Sequence, residues 1–377
     1  MHENAGKVMT VLGLIDPKDL GKTLPHEHTT CNLQYYAEPS KDPEGAKYFK
    51  DHITLENLHF LHGNPYAIYE NCICQDCDLI VRELQKYKNN GGGSICELGP
   101  LMKQEGADFV KDEKGNYKVV SDLKHWHDVV DISKRSGVHI ISSIGLYLEM
   151  AHPDAVKEMT AEQLADSFID VIRNGYGDTG IKPGIIGETG VGPVCTNEEI
   201  KALRAMGIAQ RETGLGVNIH VEPYTYEYDF RILDTLEEVG CDLTRVVLSH
   251  REACLTNRNL TFDKAVDHYV GICDRGASVE FDTCGDNDEF YTDYATWDNP
   301  SDYDRAKAVH DLCMRGHAKR VFLSHDLAHR YLMTEFGGNG YSHVITTFRK
   351  LCMKYGVTDY DLDTIMIENP KRLLTIK

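Results

Sequence analysis

Nothing in this 377-residue chain approaches the run of about 18 apolar residues that a membrane span needs. The first residues, MHENAGKVMTVLGL, lack the basic start and long apolar stretch of a secretion signal, so we expect a cytoplasmic protein with no membrane partner. Basic residues are scarce: 40 Lys and Arg against 59 Asp and Glu give a formal net charge of −19. That field repels polyanions and argues against a nucleic-acid partner. No Pro/Gly/Ser tract, low-complexity run or fixed-period repeat occurs, which removes flexible linkers and solenoids from consideration. The chain also has no second Cys pair at zinc-ribbon spacing to complement Cys72, Cys74 and Cys77, whose segment runs on into the helical pattern DLIVRELQKY. Cys96, Cys313 and Cys352 sit in apolar or periodic segments as small hydrophobes, so reduced thiols are expected among the 12 cysteines.

What is present is an ordinary globular composition, 41% hydrophobic and 26% charged, able to bury a sizeable core. Eight short β-branched or aliphatic runs recur: 22–28, 93–99, 138–146, 183–188, 216–221, 245–250, 277–282 and 320–326. Between them lie stretches with apolar residues three and four apart, such as LIVRELQKY, AEQLADSFIDVI, EEIKALRAMGIAQ and DRAKAVHDLCM, which read as amphipathic helices. Thr196 and Glu199 stand at capping-box spacing and predict a helix start just after the fourth strand. Alternating strands and helices of this number predict an α/β fold, a (β/α)8 TIM barrel forming a single domain over 1–377. Three long connections, 29–71, 99–122 and 283–303, all follow strands. In this fold such loops line the C-terminal, active-site face.

His26-Glu27-His28 ends the first strand, and period-two alternation puts both imidazoles on one face with Glu27 turned away. A lone His-x-His is weak evidence, since histidines more often satisfy hydrogen bonds than hold ions. However, Glu188, His220, His250 and Asp326 fall at the C-terminal ends of strands four, five, six and eight. Ionisable groups ending such apolar runs face the barrel mouth, where an unpaired charge is costly unless something neutralises it. Four imidazoles and two carboxylates suit a divalent transition ion such as zinc, manganese, iron or cobalt. Six ligands exceed what one catalytic zinc uses, so two ions are expected, zinc first among them, with Glu188 as the bridge.

These residues are those of the amidohydrolase superfamily, and the chain resembles its phosphotriesterase family. The resemblance rests on GKVMTVLGLIDPKDLGKTLPHEH at the start, IKPGIIGETG around Glu188, LSH at 250, LSHD at 326, and GGNGYSH followed by IENPKRLLT. It implies that His26 and His28 bind one metal, that His220 and His250 bind the second, and that the strand-four carboxylate bridges. It further implies that Asp326 binds the first metal and acts on the hydrolytic water. Phosphotriesterases proper bridge with a carboxylated lysine, whereas strand four here ends in glutamate, and Lys182 lies at the wrong end of it. This departure weakens any expectation of organophosphate activity.

The resemblance implies hydrolysis of the amide of small N-acyl amino-acid-like substrates, N-acetyltaurine to taurine and acetate foremost. The alternatives are an ester, lactone or phosphotriester hydrolase using the same centre, or a catalytically silent metal-binding protein. The expected partner is a small molecule, and self-association is left open. A sulfonate on a −19 protein calls for local positive charge or hydrogen-bond donors. Arg251, next to His250, and Arg330, four residues past Asp326, are candidates, with Tyr224 and Tyr226 after strand five as hydroxyl donors. The competing reading pairs each arginine with a local acid such as Glu252 or turns it to solvent, and alternation favours an outward Arg251.

Overall fold

The computed structural model describes residues 4–223, 225–286 and 299–377. Eight parallel strands form one sheet: β1 (Lys22–Glu27), β2 (Gly92–Glu97), β3 (His139–Ile144), β4 (Ile185–Val191), β5 (Gly216–Val221), β6 (Val246–Leu248), β7 (Ser278–Phe281) and β8 (Val321–Leu323). Each strand pairs with the next in chain order. The edges of the sheet meet where Asp326 N–H donates to the His26 carbonyl at 3.2 Å and His26 N–H donates to Ser324 Oγ at 3.1 Å. Glu27, turned away from the barrel interior, tightens this seam by accepting from Ser324 Oγ and from the backbone N–H of His325 and Leu327. The result is the (β/α)8 TIM barrel that the alternation of runs predicts.

Among the described residues a helix follows each of the first seven strands: α1 (Cys77–Asn89), α2 (Leu123–Ser136), α3 (Ala161–Asn174), α4 (Asn197–Thr213), α5 (Asp229–Glu238), α6 (Phe262–Asp274) and α7 (Asp302–Met314), and shorter helical segments, Arg349–Lys354, Asp359–Asp363 and Asn369–Leu374, follow the eighth. In α4, Thr196 accepts from the Glu199 N–H while the Glu199 carboxylate accepts from the Thr196 N–H, the reciprocal capping box its spacing predicts. Gly214 closes the same helix at φ 70°, a left-handed conformation costly for any residue with a Cβ. Ala202, Leu203, Ala205, Met206 and Ala209 give it one buried face against the barrel. Strand residues such as Ile95, Ile140, Ile186, Val217 and Val279 are fully buried. Each contributes roughly 1.5–3 kcal/mol by leaving water.

The three long connections all leave the C-terminal ends of strands. The first carries short helices at Pro43–Ala46 and Leu58–Gly63, and the second an antiparallel hairpin, Asp108–Lys111 with Tyr117–Val120. Of the third, 287–298 lies outside the described residues. Among the described residues no helix is long and apolar enough to cross a membrane.

Candidate metal centre

Two irregularities in the sheet aim side chains into the barrel mouth. The β1–β2 register shifts between Leu24 and Glu27, around Pro25, which has no N–H to offer the ladder. The β4–β5 register shifts between Ile186 and Thr189, around Gly187 and Glu188. Gly187 has φ 142°, and a Cβ there would lie 2.4 Å from the Asn218 carbonyl oxygen, so only glycine lets the strands approach this closely. His250 and Asp326 follow the ends of β6 and β8 with φ of 58° and 49°. Such left-handed non-glycine residues cluster at functional sites because the surrounding structure must hold them there.

These elements bring His26, His28, Glu188, His220, His250 and Asp326 together. His26 Nε2 lies 3.2 Å from Glu188 Oε2 and 3.6 Å from Asp326 Oδ1, and His28 Nε2 lies 2.9 Å from Asp326 Oδ1. On the other side, His220 Nδ1 is 3.1 Å from Glu188 Oε2 and 2.8 Å from His250 Nε2. Donor atoms of His26, His28 and Glu188 lie within 4.8 Å of one another, as do those of Glu188, His220 and His250. Glu188 is common to both groups.

Burial favours the neutral form of every one of these groups, yet their mutual charges win. Burial raises the Glu188 carboxyl, but His220 and His26 outweigh it and hold it well below the ordinary carboxylate range. Burial lowers His26, but Glu188, Asp326 and Asp282 hold it well above the usual imidazole value. His250 is raised in the same way by Asp282, Glu188 and Asp326. The cluster is therefore a focus of negative potential that demands positive charge. His26 Nε2 is buried with no hydrogen-bond partner, although two carboxylates stand beside it. A lone donor nitrogen and a nitrogen-rich ligand set fit a divalent transition metal.

Asp282, just past β7, completes the centre. Its Oδ1 lies 2.8 Å from His250 Nδ1, and its Oδ2 lies 3.2 Å from His26 Nδ1 while accepting from the His250 N–H at 3.0 Å. Holding both Nδ1 atoms leaves both Nε2 atoms for an ion. Beneath it, Asn218 and Ser249 donate to Glu280 at 2.7 and 3.0 Å, forming a polar floor. Asp282 was open to the same reading as the other ligands, because it also ends an apolar strand, ASVEFD, in register with them.

A cavity of about 170 Å³ opens over the centre, walled by Tyr35, Tyr36, Tyr66, Tyr147, Met102 and Pro223 among others. Neither candidate arginine lines it. Arg251 is fully buried, bonds Asp229 at 2.8 and 3.0 Å, and donates to the carbonyls of Ser249 and Val221. As the neighbour of an inward residue it turns outward, into a structural ion pair rather than towards a sulfonate. Arg330 donates to the Ile73 carbonyl and pairs with Glu70 at 3.3 Å, tying down the first long loop. Tyr226 opens a one-turn helix and packs its ring against His268, away from the cavity wall. Tyr224 lies outside the described residues. Tyr147, whose hydroxyl is 3.4 Å from His220 Nε2, is a cavity residue that strand periodicity could not reveal, since it sits beyond its strand.

An eight-stranded barrel with histidines and carboxylates converging at its C-terminal strand ends defines a metal-dependent hydrolase. The model of the phosphotriesterase family matches residues 6–374, and the chain belongs to that family. It is 34% identical to the N-acetyltaurine hydrolase of Mus musculus and 32% identical to that of Homo sapiens, each match covering 100% of both chains. Among solved structures it is similar to a resiniferatoxin-binding protein from Rhodobacter sphaeroides, at 29% identity and a TM-score of 0.86 over 99% of this chain and 96% of that one. The phosphotriesterase homology protein of Escherichia coli shares the fold at 24% identity and a TM-score of 0.70, over 96% of this chain and 100% of that one.

Proposed function

We propose that this chain hydrolyses the amide bond of small N-acyl amines at a centre of two divalent transition-metal ions, zinc by preference. In this reading His26, His28 and Asp326 hold one ion, His220 and His250 hold the other, and Glu188 bridges. The observation that carries it is that Glu188 offers its carboxylate to two donor groups, with His26 and His28 on one side and with His220 and His250 on the other. Ions bound there would supply Lewis acidity for the carbonyl and a nucleophilic water at neutral pH. Asp326 lines the cavity beside His28 and His26. It takes the proton from the attacking water and passes it to the leaving nitrogen, which departs poorly without one. Tyr147 and the other cavity tyrosines exclude bulk water and limit the acyl amine to a small one.

The amide as the bond cleaved is supported by the full-length relatives named N-acetyltaurine hydrolase, so N-acetyltaurine, giving taurine and acetate, is the reference compound. The test is kcat/KM of metal-loaded protein on N-acetyltaurine and other N-acetyl amines beside esters, lactones and phosphotriesters. Amide turnover is expected. Turnover confined to the esters, lactones or phosphotriesters would replace the amide reading, and metal retention without turnover of any compound would make the chain a silent binder.

A further inference from the structure

The first long loop leaves and rejoins the barrel mouth between two facing cysteines. Asn32 and Ile73 form an isolated antiparallel bridge. On either side of it the Cys74 N–H donates to the Cys31 carbonyl at 2.9 Å and the Leu33 N–H donates to the Cys72 carbonyl at 2.8 Å. In that register Cys31 stands directly opposite Cys74, with both side chains on one face. Directly opposed antiparallel residues have Cα atoms roughly 4.5–5.5 Å apart, inside the window of about 4.4–6.8 Å that a disulfide spans.

Both thiols also point to one place. Cys31 Sγ and Cys74 Sγ donate to the same acceptor, the Ala328 carbonyl, at 3.7 and 3.3 Å. Neighbouring Cys72 turns instead to the carbonyls of Pro65 and Ile68, at 3.9 and 4.0 Å. Cys31 lines the cavity, whereas Cys74 is 1% exposed. Burial pushes the Cys74 thiol up to about 12 and Cys31 well above the ordinary thiol value, so at neutral pH the pair rests as the protonated dithiol that makes these bonds.

We propose that Cys31 and Cys74 are an oxidation site, joined by peroxides into a reversible disulfide that restrains the cavity wall and slows turnover. Cys31, reached through the cavity, takes one peroxide oxygen as a sulfenic acid while the other oxygen leaves as water or an alcohol. The Cys74 sulfur then attacks the Cys31 sulfur and expels its oxygen as water. Two thiols thereby give up two protons and two electrons, and the O–O bond is reduced. Burial of Cys74 is no obstacle, because its step is intramolecular. Thiolate is scarce, so the first step is slow and the site answers sustained exposure rather than a brief pulse. The disulfide withdraws both S–H donors from the Ala328 carbonyl, and the Ala328 N–H is bonded to the Asp326 carbonyl at 2.8 Å. It also ties together the two ends of the loop that carries Tyr35, Tyr36 and Tyr66 in the cavity wall. The effect on turnover rests on the amide-hydrolase reading, and the cross-link itself does not.

The test treats reduced, metal-loaded full-length protein with hydrogen peroxide, alkylates the remaining thiols and maps the unreduced digest by mass spectrometry. A Cys31–Cys74 peptide pair lighter than its two reduced halves by two hydrogen atoms is expected. As it accumulates, kcat/KM for N-acetyltaurine should fall about tenfold or more and return with dithiothreitol, since a small displacement at the reacting groups costs that much. Cys74→Ala should give no linked pair and carry added oxygen on Cys31 instead, while Cys72→Ala should still cross-link. Met314, 73% exposed, serves as the clock. If Cys31 and Cys74 are still alkylated once Met314 is the sulfoxide, or if either is found joined to another cysteine, the proposal is overturned. Linked protein that turns over as fast as the reduced form overturns it too. If the reduced protein hydrolyses no amide and the linked pair still forms, the hydrolase reading falls and the oxidation site stands.

Discussion

Asp326 holds its place at φ 49° with its carboxylate 2.9 Å from His28 Nε2, and the proposed mechanism asks it to move a proton as well as to hold metal. Asp326→Asn keeps the shape and an oxygen donor but cannot take up a proton. We expect most of the metal to remain bound while kcat falls about 10²–10⁴-fold, read by elemental analysis beside steady-state kinetics. Arg251 has the opposite character. Its removal would strand Asp229 at 0% exposure with only His268 beside it, so Arg251→Ala should cost about 3–5 kcal/mol of stability. Denaturant unfolding checks this, and the order of preference among substrates should stay as in wild type. Glu105, in the cavity wall, is pushed up to about 7, chiefly by burial. Its folded pKa exceeds the unfolded value, so its ionisation opposes folding: stability falls as pH rises from about 4.5 through 7 and then levels off. In metal-free protein, the Tm advantage of Glu105→Gln over wild type should be small at pH 4.5 and largest at pH 8. A constant difference across that range would remove the assigned burial penalty.

At the scale of elements, strands and helices were legible because each repeats a period. Val217 and Ile219 alternate with inward Asn218 and His220, and α4 announces its start with Thr196 and Glu199. Thr196→Ala removes one half of the capping box and should lower stability by about 1 kcal/mol without altering the metal content. The bulge at Gly187 was not legible, since a glycine inside an apolar run reads only as a weak strand residue. Its role comes from Asn218 on the neighbouring strand, which leaves no room for a Cβ. Gly187→Ala should therefore displace Glu188 and lower both metal content and Tm, an effect on both sides of the centre that a single ligand mutation would not produce.

For the molecule as a whole, the barrel brings candidate ligands from five strand ends to one point, so an ion bound there and the barrel mouth should stabilise each other. Chelation should abolish turnover and lower Tm while leaving far-UV circular dichroism largely unchanged, because the apolar barrel does not depend on the metal for its folding. Re-addition of zinc, manganese or cobalt should restore activity at close to two ions per chain. Saturation at one ion would exclude the bridging role of Glu188.

The barrel and most of the residues gathered at its mouth were already determined by the sequence, because eight apolar runs alternate with helical stretches, five of those runs end in the six candidate ligands, and only one face of a parallel barrel can receive them. Which neighbours serve those residues was decided by tertiary structure alone. Asp282 reaches both His26 and His250 only because β7 sits beside β6 and, across the closing seam, is separated from β1 by β8 alone. Arg251 meets Asp229 rather than the cavity because the turn that begins just past β6 directs it outward. Contacts of this kind join residues far apart in the chain, and local periodicity carries no record of them.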